Sequence, residues 1–265
     1  MVDEFGDNVG AAMMPGGGWT QRHDGVKWTV AQQASYAKYD LVTEAANLFL
    51  PWIQQREAFM SEQKARKRQG MIPDFLDVQR QKLMDVKGCS YCKSWYSSAR
   101  FYNAISCDGV LRRQAKVDMD CQYKARKVDE KYNGWVKNDS TPGPMAQRLQ
   151  SFGRVEGLVV GAHGEGSPDL LHLLKRIANR AAQTRYRVLG FRSSRAARST
   201  VLKQIHVAVG VEAIRGMARL RIANLGSALA GTASNKAATA RRNQARHLFH
   251  EQNQAYFARH CYYDI

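Results

Sequence analysis

Two short apolar runs separated by a polar break constrain the fold of this chain most strongly. The first run ends with the residues Phe75-Leu76-Asp77-Val78, and the second run comprises residues 83–86. The four residues between them, 79–82, are polar. Apolar runs of this length on either side of a polar break predict a β-hairpin. We expect its turn to centre between Arg80 and Gln81.

The predicted hairpin places two acids and one lysine on the same face. Side chains alternate between the two faces of a strand, so Asp85 and Lys87 leave the same face. A turn at the expected place pairs Asp74 with Lys87 and Leu76 with Asp85, and points Asp77 to the opposite face. Two nearby carboxylates repel each other unless a cation lies between them. Because Mg²⁺ is bound by one or two carboxylates with waters and phosphate oxygens, the pattern indicates a metal site.

Pro73-Asp74, ten intervening residues and Asp85-Val86-Lys87 resemble the PD-(D/E)XK motif of restriction-endonuclease-like nucleases. The resemblance implies an α/β fold with an αβββαβ core, a divalent metal and hydrolysis of phosphodiester bonds. It also implies that Asp74 and Asp85 bind Mg²⁺ or Mn²⁺ and that Lys87 is the catalytic lysine. The alternative is a solvated salt bridge between Asp74 and Lys87 on an ordinary hairpin.

A helical pattern precedes the hairpin. Apolar residues recur at three- and four-residue spacing from Thr29 to Pro51, which predicts one helix over this stretch. Glu44 falls inside its apolar stripe, where a carboxylate is costly without a cation or hydrogen bonds. The resemblance implies an additional acid on the first core helix, so Glu44 is a candidate third metal ligand. The alternative is that Glu44 lies at the solvated edge of the stripe.

The charge of the chain indicates a polyanionic partner. There are 40 Lys and Arg against 23 Asp and Glu, and the formal net charge is +17. The 99 residues from Ser167 onward hold 17 of the basic and 4 of the acidic residues. So basic a chain attracts nucleic acid, and we favour DNA over RNA. The alternative is a generically basic protein with no such partner.

Two basic clusters are candidates for contacts with a nucleic-acid backbone. The first directly precedes the hairpin, and the second lies on a charged helix predicted at residues 112–132, with Ala115, Met119, Tyr123 and Val128 as its apolar side. The candidate residues are Arg66, Lys67, Arg68, Lys124 and Lys127. The alternative for the first cluster is the solvated end of a helix, because basic residues favour helix C-termini.

The cysteines and the apolar runs bear on metal and location. Cys89 and Cys92 form one Cys-x2-Cys pair without a second pair at matching spacing, so zinc is not favoured and reduced thiols are expected. An odd number of cysteines and the lack of a signal-like N-terminal segment predict an intracellular, nuclear or cytoplasmic, location. No apolar run approaches the length of a membrane span, so we expect no membrane partner.

A continuous apolar run at residues 155–162 predicts a strand buried on both faces. It leads through a glycine-rich turn with His163 and Glu165 to Ser167, a predicted helix N-cap. Sites in open sheets gather at carboxyl ends of strands, so His163 and Glu165 are candidate neighbours of the site. The turn lacks the Lys-Ser/Thr ending of a P-loop, which favours a structural role. Residues 152–174 also resemble uncharacterised proteins from genomes rich in mobile elements, which implies no defined chemistry.

These patterns predict a flexible leader at residues 1–27, a nuclease-like α/β core at residues 28–190 and a basic α-helical extension at residues 191–265. The extension comprises helices at about residues 194–229 and 234–260, which suit a duplex-binding arm or the interface of a homodimer. The favoured function is a Mg²⁺-dependent endonuclease acting on DNA. The alternatives are a non-catalytic nucleic-acid-binding or packaging protein and a structural or assembly subunit.

Overall fold

The computed structural model describes residues 18–44, 48–66, 73–89, 108–136 and 141–229. Over these residues the fold is mixed α/β, as predicted, with six α-helices and a four-stranded mixed sheet. The helices are α1 (Gly18–Tyr36), α2 (Arg56–Arg66), α3 (Asp108–Tyr132), α4 (Pro144–Gln150), α5 (Pro168–Arg185) and α6 (Ser194–Leu229). The strands are β1 (Leu41–Thr43), β2 (Phe75–Asp77), β3 (Lys82–Gly88) and β4 (Glu156–Val160), and Leu50–Trp52 form a 3-10 turn.

The sheet contains the predicted hairpin, but its register differs from the prediction. The strand order is β1-β2-β3-β4, and β2 is antiparallel to both β1 and β3. Leu76 pairs with Leu83 and Asp77 with Lys82, so the turn centres one residue earlier than expected. The predicted pairing of Leu76 with Asp85 is therefore wrong. Because the register shifts by two residues, the face that each side chain leaves is unchanged.

The first helix lies earlier in the chain than the sequence indicated. α1 covers Gly18–Tyr36, so residues 18–27, predicted as leader, are helical. Residues 1–17 lie outside the described residues. The helix predicted from Thr29 to Pro51 is wrong beyond Tyr36, because the chain turns there and continues as β1.

A Schellman motif ends α1 without the usual glycine. Lys38 has a φ of 52°, in the left-handed region. Its amide donates to the carbonyl of Ser35, and the amide of Tyr39 donates to the carbonyl of Ala34, both at 2.9 Å. These two bonds satisfy carbonyl groups that the last turn leaves without helical partners. A lysine at this position is an uncommon stop signal, which explains why the helix end was missed.

The chain divides into two compact units. Unit 1 comprises residues 1–39, 87–111 and 159–265, and unit 2 comprises residues 40–86 and 112–158. In unit 1, α6 packs against both α1 and α5. The helix predicted as the start of a separate extension at residue 191 is therefore part of a packed group of three helices. The helix predicted at residues 234–260 lies outside the described residues.

Glycines allow α1 and α6 to approach each other closely. A Cβ atom on Gly216 of α6 would lie 2.8 Å from Cγ of Arg22 on α1. A Cβ atom on Gly25 of α1 would lie 2.6 Å from Oε1 of Glu212 on α6. The two helices therefore meet at positions where a larger residue would have to displace its neighbour.

The buried face of α3 in unit 2 differs from the predicted one. The buried apolar residues are Val117, Cys121, Ala125, Val128 and Tyr132. Of the four residues of the predicted apolar side, only Val128 is buried. Ala115 is exposed, and Met119 and Tyr123 are 61% and 62% exposed. The observed buried face is displaced around the helix relative to the predicted one. It includes small residues, which weaken the periodic pattern of apolar residues in the sequence.

A buried carboxylate holds the start of α4 in unit 2. Asp129 on α3 is fully buried and accepts hydrogen bonds from the backbone amides of Met145 at 2.8 Å and Ala146 at 2.9 Å. The side-chain amide of Asn133 donates to the same carboxylate at 2.6 Å. Gly143, the N-cap residue of α4, has no side chain that could cap the helix. Asp129 supplies the missing acceptor from another helix.

The strand and N-cap predicted downstream are confirmed. β4 is buried at every position. The hydroxyl of Ser167 accepts from the amide of Leu170 at 3.3 Å in α5 and from the amide of Val159 at 3.0 Å. No helix within the described ranges is both long enough and apolar enough to cross a membrane.

Candidate functional site

Asp74 lies immediately before β2 and is 7% exposed. Its Oδ2 accepts a 2.7 Å hydrogen bond from the backbone amide of Val86 in β3. The preceding residue, Pro73, has no amide hydrogen to donate to the sheet, so regular pairing begins after it. The carboxylate of Asp74 thus supplies an acceptor for β3 where the backbone of β2 has not yet begun to pair.

Asp85 lies in β3 and is 8% exposed. The thiol of Cys121 on α3 contacts its Oδ2 at 3.9 Å, within reach of a weak hydrogen bond. The carboxylate borders a cavity of about 30 Å³ that Lys124 and Leu83 also line. A cavity of this size has room for one or two water molecules. Asp85 therefore borders a small space that is lined mainly by apolar residues and has the cationic side chain of Lys124 at its edge.

The backbones of Asp74, Asp85 and Glu44 are neighbours in unit 2, where Glu44 follows β1, Asp74 precedes β2 and Asp85 lies in β3. The β2–β3 register, continued by one residue, places Asp74 opposite Asp85. On the other side, the backbone amide of Glu44 donates to the carbonyl of Asp74 at 3.1 Å. The backbones of three acidic residues are therefore neighbours at one end of β1 and β2, although these residues are far apart in the chain.

The predicted setting of Glu44 is wrong. Glu44 is not part of a helix and its side chain is not directed into a core, because it directly follows β1 with a φ of 50° and is exposed. The three β1 residues include β-branched Val42 and Thr43, a strand signal that the helical spacing concealed. Glu44 lies near the other two acids because its backbone amide is hydrogen-bonded to the carbonyl of Asp74.

Lys87 follows Asp85 by two residues on β3, so both side chains leave the same face of the strand. It is half-buried. The predicted direct pairing of Lys87 with Asp74 is wrong, since the observed register puts Asp85 opposite Asp74. The division between the two units falls after Val86, so Lys87 is assigned to unit 1 and the three acids to unit 2.

The donor set suits a hard divalent cation. Within the described ranges, no group of three or more His, Cys, Asp and Glu side chains is placed to hold a metal ion together. Mg²⁺ needs fewer protein ligands, because waters and substrate phosphate oxygens complete its octahedral shell. Asp74 and Asp85 provide two carboxylates, and carboxylate oxygen suits Mg²⁺ and Mn²⁺.

The basic candidates are only partly within the described structure. Lys124 and Lys127 are exposed on α3. Lys127 donates to Glu130 at 2.6 Å, and this hydrogen bond with the nearby negative charge raises the pKa of Lys127. Arg66 is the last residue of α2. Lys67 and Arg68 lie outside the described residues.

The cysteine pair provides one described residue. Cys89 is buried, and its thiol contacts the carbonyl of Gly109 at 3.7 Å within unit 1. Cys92 lies outside the described residues. Cys89 is thus placed as a buried thiol bonded to backbone.

His163 and Glu165 form part of a tight turn after β4. The backbone amide of His163 donates to Oε2 of Glu165 at 2.9 Å. Gly164, with a φ of 84°, packs against the backbone of Gly210 on α6, where a Cβ atom would lie 3.0 Å from the carbonyl oxygen. The turn is thus held by its own side chain and by close backbone packing, which agrees with the structural role expected for it.

Arg22 is a buried charged residue that the sequence analysis did not single out. It is 2% exposed, and its Nη2 donates to the carbonyl of Gly161 at 3.1 Å. Its Nη1 lies 2.8 Å from the position of a Cβ atom on Gly88, the residue after Lys87. No signal marked this arginine, because it falls in the stretch predicted as leader.

The protein was compared with known protein families, with curated proteins and with solved structures, and none of the three comparisons gives a match. What the site can do therefore follows from its own residues. These are two buried carboxylates opposite each other on a hairpin, an exposed third acid beside them, and a lysine two residues after the second acid.

Proposed function

We propose that this protein is a metal-dependent nuclease that hydrolyses phosphodiester bonds in DNA. The observation that carries the proposal is the pair of Asp74 and Asp85, opposite each other in the continued register and 7% and 8% exposed. Two acids removed from water at adjacent positions repel each other when both are ionised, and a divalent cation relieves this repulsion.

The order of elements supports the same proposal. α1, β1, β2, β3, α3 and β4 follow one another in the α-β-β-β-α-β order of a restriction-endonuclease-like core, with α2 and α4 as additions. A nuclease core of this type would also explain why a proline and an acid directly precede β2.

Each candidate residue has a chemical role in this proposal. Asp74 and Asp85 would bind Mg²⁺ or Mn²⁺, which when bound polarises the phosphate and lowers the pKa of a water ligand. Lys87 would orient the attacking water and offset the negative charge that develops on the phosphate. Glu44 is exposed beside Asp74, where its carboxylate would bind a water of the metal rather than lie in a core.

A second candidate function is nucleic-acid binding or packaging without catalysis. The observation in its favour is the formal net charge of +17, with exposed Lys124 and Lys127 among the basic residues. Polyanion binding needs no metal and no arrangement of acids. An intracellular location and a homodimer stay predictions from the sequence in either case.

Nicking of a supercoiled plasmid tests the proposal. We expect nicking with Mg²⁺ or Mn²⁺ and none with EDTA. Asp85→Asn and Lys87→Gln should each lower the nicking rate by about 100-fold or more, as loss of one electrostatic group at a reacting phosphate does. Asp77→Asn is the matched control, since Asp77 lies on the same hairpin and leaves the opposite face.

Circular dichroism of every variant shows whether it remains folded. Nicking that persists in EDTA, or that is unchanged in Asp85→Asn, would contradict the nuclease proposal. DNA binding by the wild type without any nicking would favour the binding or packaging protein instead.

A further inference from the structure

The exposed face of α3 in unit 2 combines cations with large apolar side chains. Side chains that recur at three- and four-residue spacing on this helix lie on one face. The exposed residues of this face with long side chains, defined here as the α3 stripe, are Arg112, Lys116, Met119, Tyr123, Arg126 and Lys127; the small Ala115 is also exposed on this face. The stripe lies opposite the buried face of the helix.

The two apolar members of the α3 stripe are unusually open to solvent. Met119 is 61% exposed and Tyr123 is 62% exposed. Single apolar residues are common on protein surfaces and need no explanation alone. Here they occupy the two central positions of a stripe whose other members are all cations. Apolar side chains at these positions do not stabilise a helix face that contacts only water. On a face that binds a polyanion, they can pack against the apolar parts of that ligand while the cations contact its charges.

The ring of Tyr123 already interacts with a cation of the stripe. The Nζ of Lys127 lies 5.7 Å from the ring centroid, a cation–π distance. The same Nζ is held by Glu130 at 2.6 Å, one turn further along the helix. Lys127 is thus kept beside the ring by an acid that would compete with an incoming anion.

We propose that the α3 stripe binds single-stranded DNA. The four cations contact phosphates, and Tyr123 and Met119 pack against unpaired bases. Aromatic rings interleaved with cations bind single strands because every base has an apolar face for stacking while the backbone carries the charge. In a duplex these faces are stacked on each other, so Tyr123 would have nothing to pack against. From Arg112 to Lys127 the helix rises about 22 Å, enough to contact several successive nucleotides.

This inference rests on the proposed function for the choice of DNA, and it deepens that function by naming unpaired DNA as a ligand. The binding itself needs neither a metal nor hydrolysis. It can therefore be measured in EDTA, where a failure of the nuclease proposal has no effect on the result.

Fluorescence anisotropy of the full-length protein tests the stripe. The probes are a fluorescein-labelled single-stranded oligothymidine of about 15 nucleotides, a length in the range of known single-strand sites, and a duplex of the same length. Tyr123→Ala should weaken binding of the single strand by about tenfold and leave duplex binding within about twofold. Tyr123→Phe, which keeps the ring, should bind the single strand within about twofold of the wild type.

A matched control uses an exposed tyrosine elsewhere. Tyr36 is 43% exposed, and the guanidinium of Arg185 lies 4.2 Å from its ring centroid. It therefore shares the exposure and the cation–π contact of Tyr123 but lies in unit 1, outside the stripe. Tyr36→Ala should leave binding of both probes unchanged.

Removal of a cation from the stripe should change how binding depends on salt concentration. Lys116→Gln should lower the magnitude of the slope of log Kd against log salt concentration by about 0.7, the value for one phosphate contact with a single strand. Glu130→Gln should tighten binding of the single strand, because Lys127 then has no competing carboxylate.

The inference is overturned if Tyr123→Ala binds the single strand like the wild type, or if it weakens single strand and duplex equally. It is also overturned if Tyr123→Ala converts an oligomer into a monomer with unchanged DNA affinity, since the stripe would then be a protein interface. The plasmid assay keeps the two proposals apart. Single-strand binding that depends on Tyr123 in a protein that never nicks upholds the stripe and contradicts the nuclease.

Discussion

The carboxylate of Asp74 accepts a 2.7 Å hydrogen bond from the backbone amide of Val86. This bond joins the residue before β2 to the residue between Asp85 and Lys87 on β3. Asp74 is therefore part of the hairpin as well as a candidate metal ligand. If the proposed function holds, variants at this position should change stability and activity together, so the two effects have to be measured separately.

Substitutions of Asp74 should separate the two roles. Asp74→Ala leaves the buried amide of Val86 without this acceptor and should lower the free energy of unfolding by about 1–3 kcal/mol. Asp74→Asn retains a side-chain oxygen that can accept the bond, so its loss should be smaller. Urea denaturation measures both, and the plasmid assay should find both variants inactive. Equal stability of Asp74→Ala and wild type would show that the bond contributes nothing.

Asp129 should be among the residues of unit 2 most sensitive to substitution. Asp129→Ala removes the acceptor of the Met145 and Ala146 amides inside the protein. We expect a loss of about 2–4 kcal/mol in the free energy of unfolding, because two buried donors lose their partner at once. Asp120→Ala is the control on the same helix. Its ion pair with Arg113 is at 3.2 Å and partly exposed, and such pairs contribute less than about 1 kcal/mol.

A result that ranks these two substitutions equally would contradict the capping role of Asp129. Denaturation in urea, followed by circular dichroism at the helical minimum, gives the two midpoints.

The two glycines at the contact of α1 with α6 should respond oppositely to alanine. In Gly25→Ala the added Cβ meets the far end of the flexible Glu212 side chain, which can move away. The variant should be neutral or up to about 1 kcal/mol more stable, because alanine favours a helix over glycine. In Gly216→Ala the Cβ lies 2.8 Å from Cγ and 3.1 Å from Cα of Arg22, close to backbone. Thermal unfolding should show a loss of about 1–3 kcal/mol for this variant. Similar stability changes for the two would mean that the helices are not packed this closely.

The pH dependence of stability should include a contribution from His206. Burial, and secondarily the positive charge of Lys175, lowers the pKa of half-buried His206 below its ordinary value of 6.5. Between that lowered pKa and about 6.5 the unfolded chain binds more protons than the folded one. The free energy of unfolding should therefore rise with pH through this window. The stability that neutral His206 contributes should be lost as pH falls through the same window.

His206→Gln should flatten this part of the curve of stability against pH, as measured by urea midpoints from pH 5 to 8. His172→Gln, at an exposed histidine on α5, is the control and should follow the wild type. A His206→Gln curve parallel to the wild type would contradict the prediction.

At the hairpin, the sequence predicted the faces of the candidate site residues but not the register of the two strands. The alternation of apolar and polar residues placed Asp74, Asp85 and Lys87 on one face correctly, because a shift by two residues preserves the face. The register was not predictable from it, since the turn could be centred at either of two neighbouring positions. The error mattered, because the true register sets Asp85 rather than Lys87 opposite Asp74.

Glu44 shows the opposite case. The spacing of apolar residues suggested a helix through this position, but the backbone of Lys38 ends the helix before it. Helix-stop signals based on glycine do not detect a lysine in the left-handed region, because its cost is offset by the bonds that the ending makes. The nearness of Glu44 to Asp74 was therefore beyond the reach of periodicity.

The sequence by itself determined the local features of this protein: the hairpin and the faces of its side chains, the buried strand β4, the Ser167 cap and the charge of α3. Each of these depends on residues within a few positions of one another. The tertiary structure alone decided the alignment of Glu44, Asp74 and Asp85, the cap that Asp129 provides for α4, and the close packing of α1 on α6. These depend on contacts between distant parts of the chain, and no short-range pattern of residue types encodes which distant partners meet.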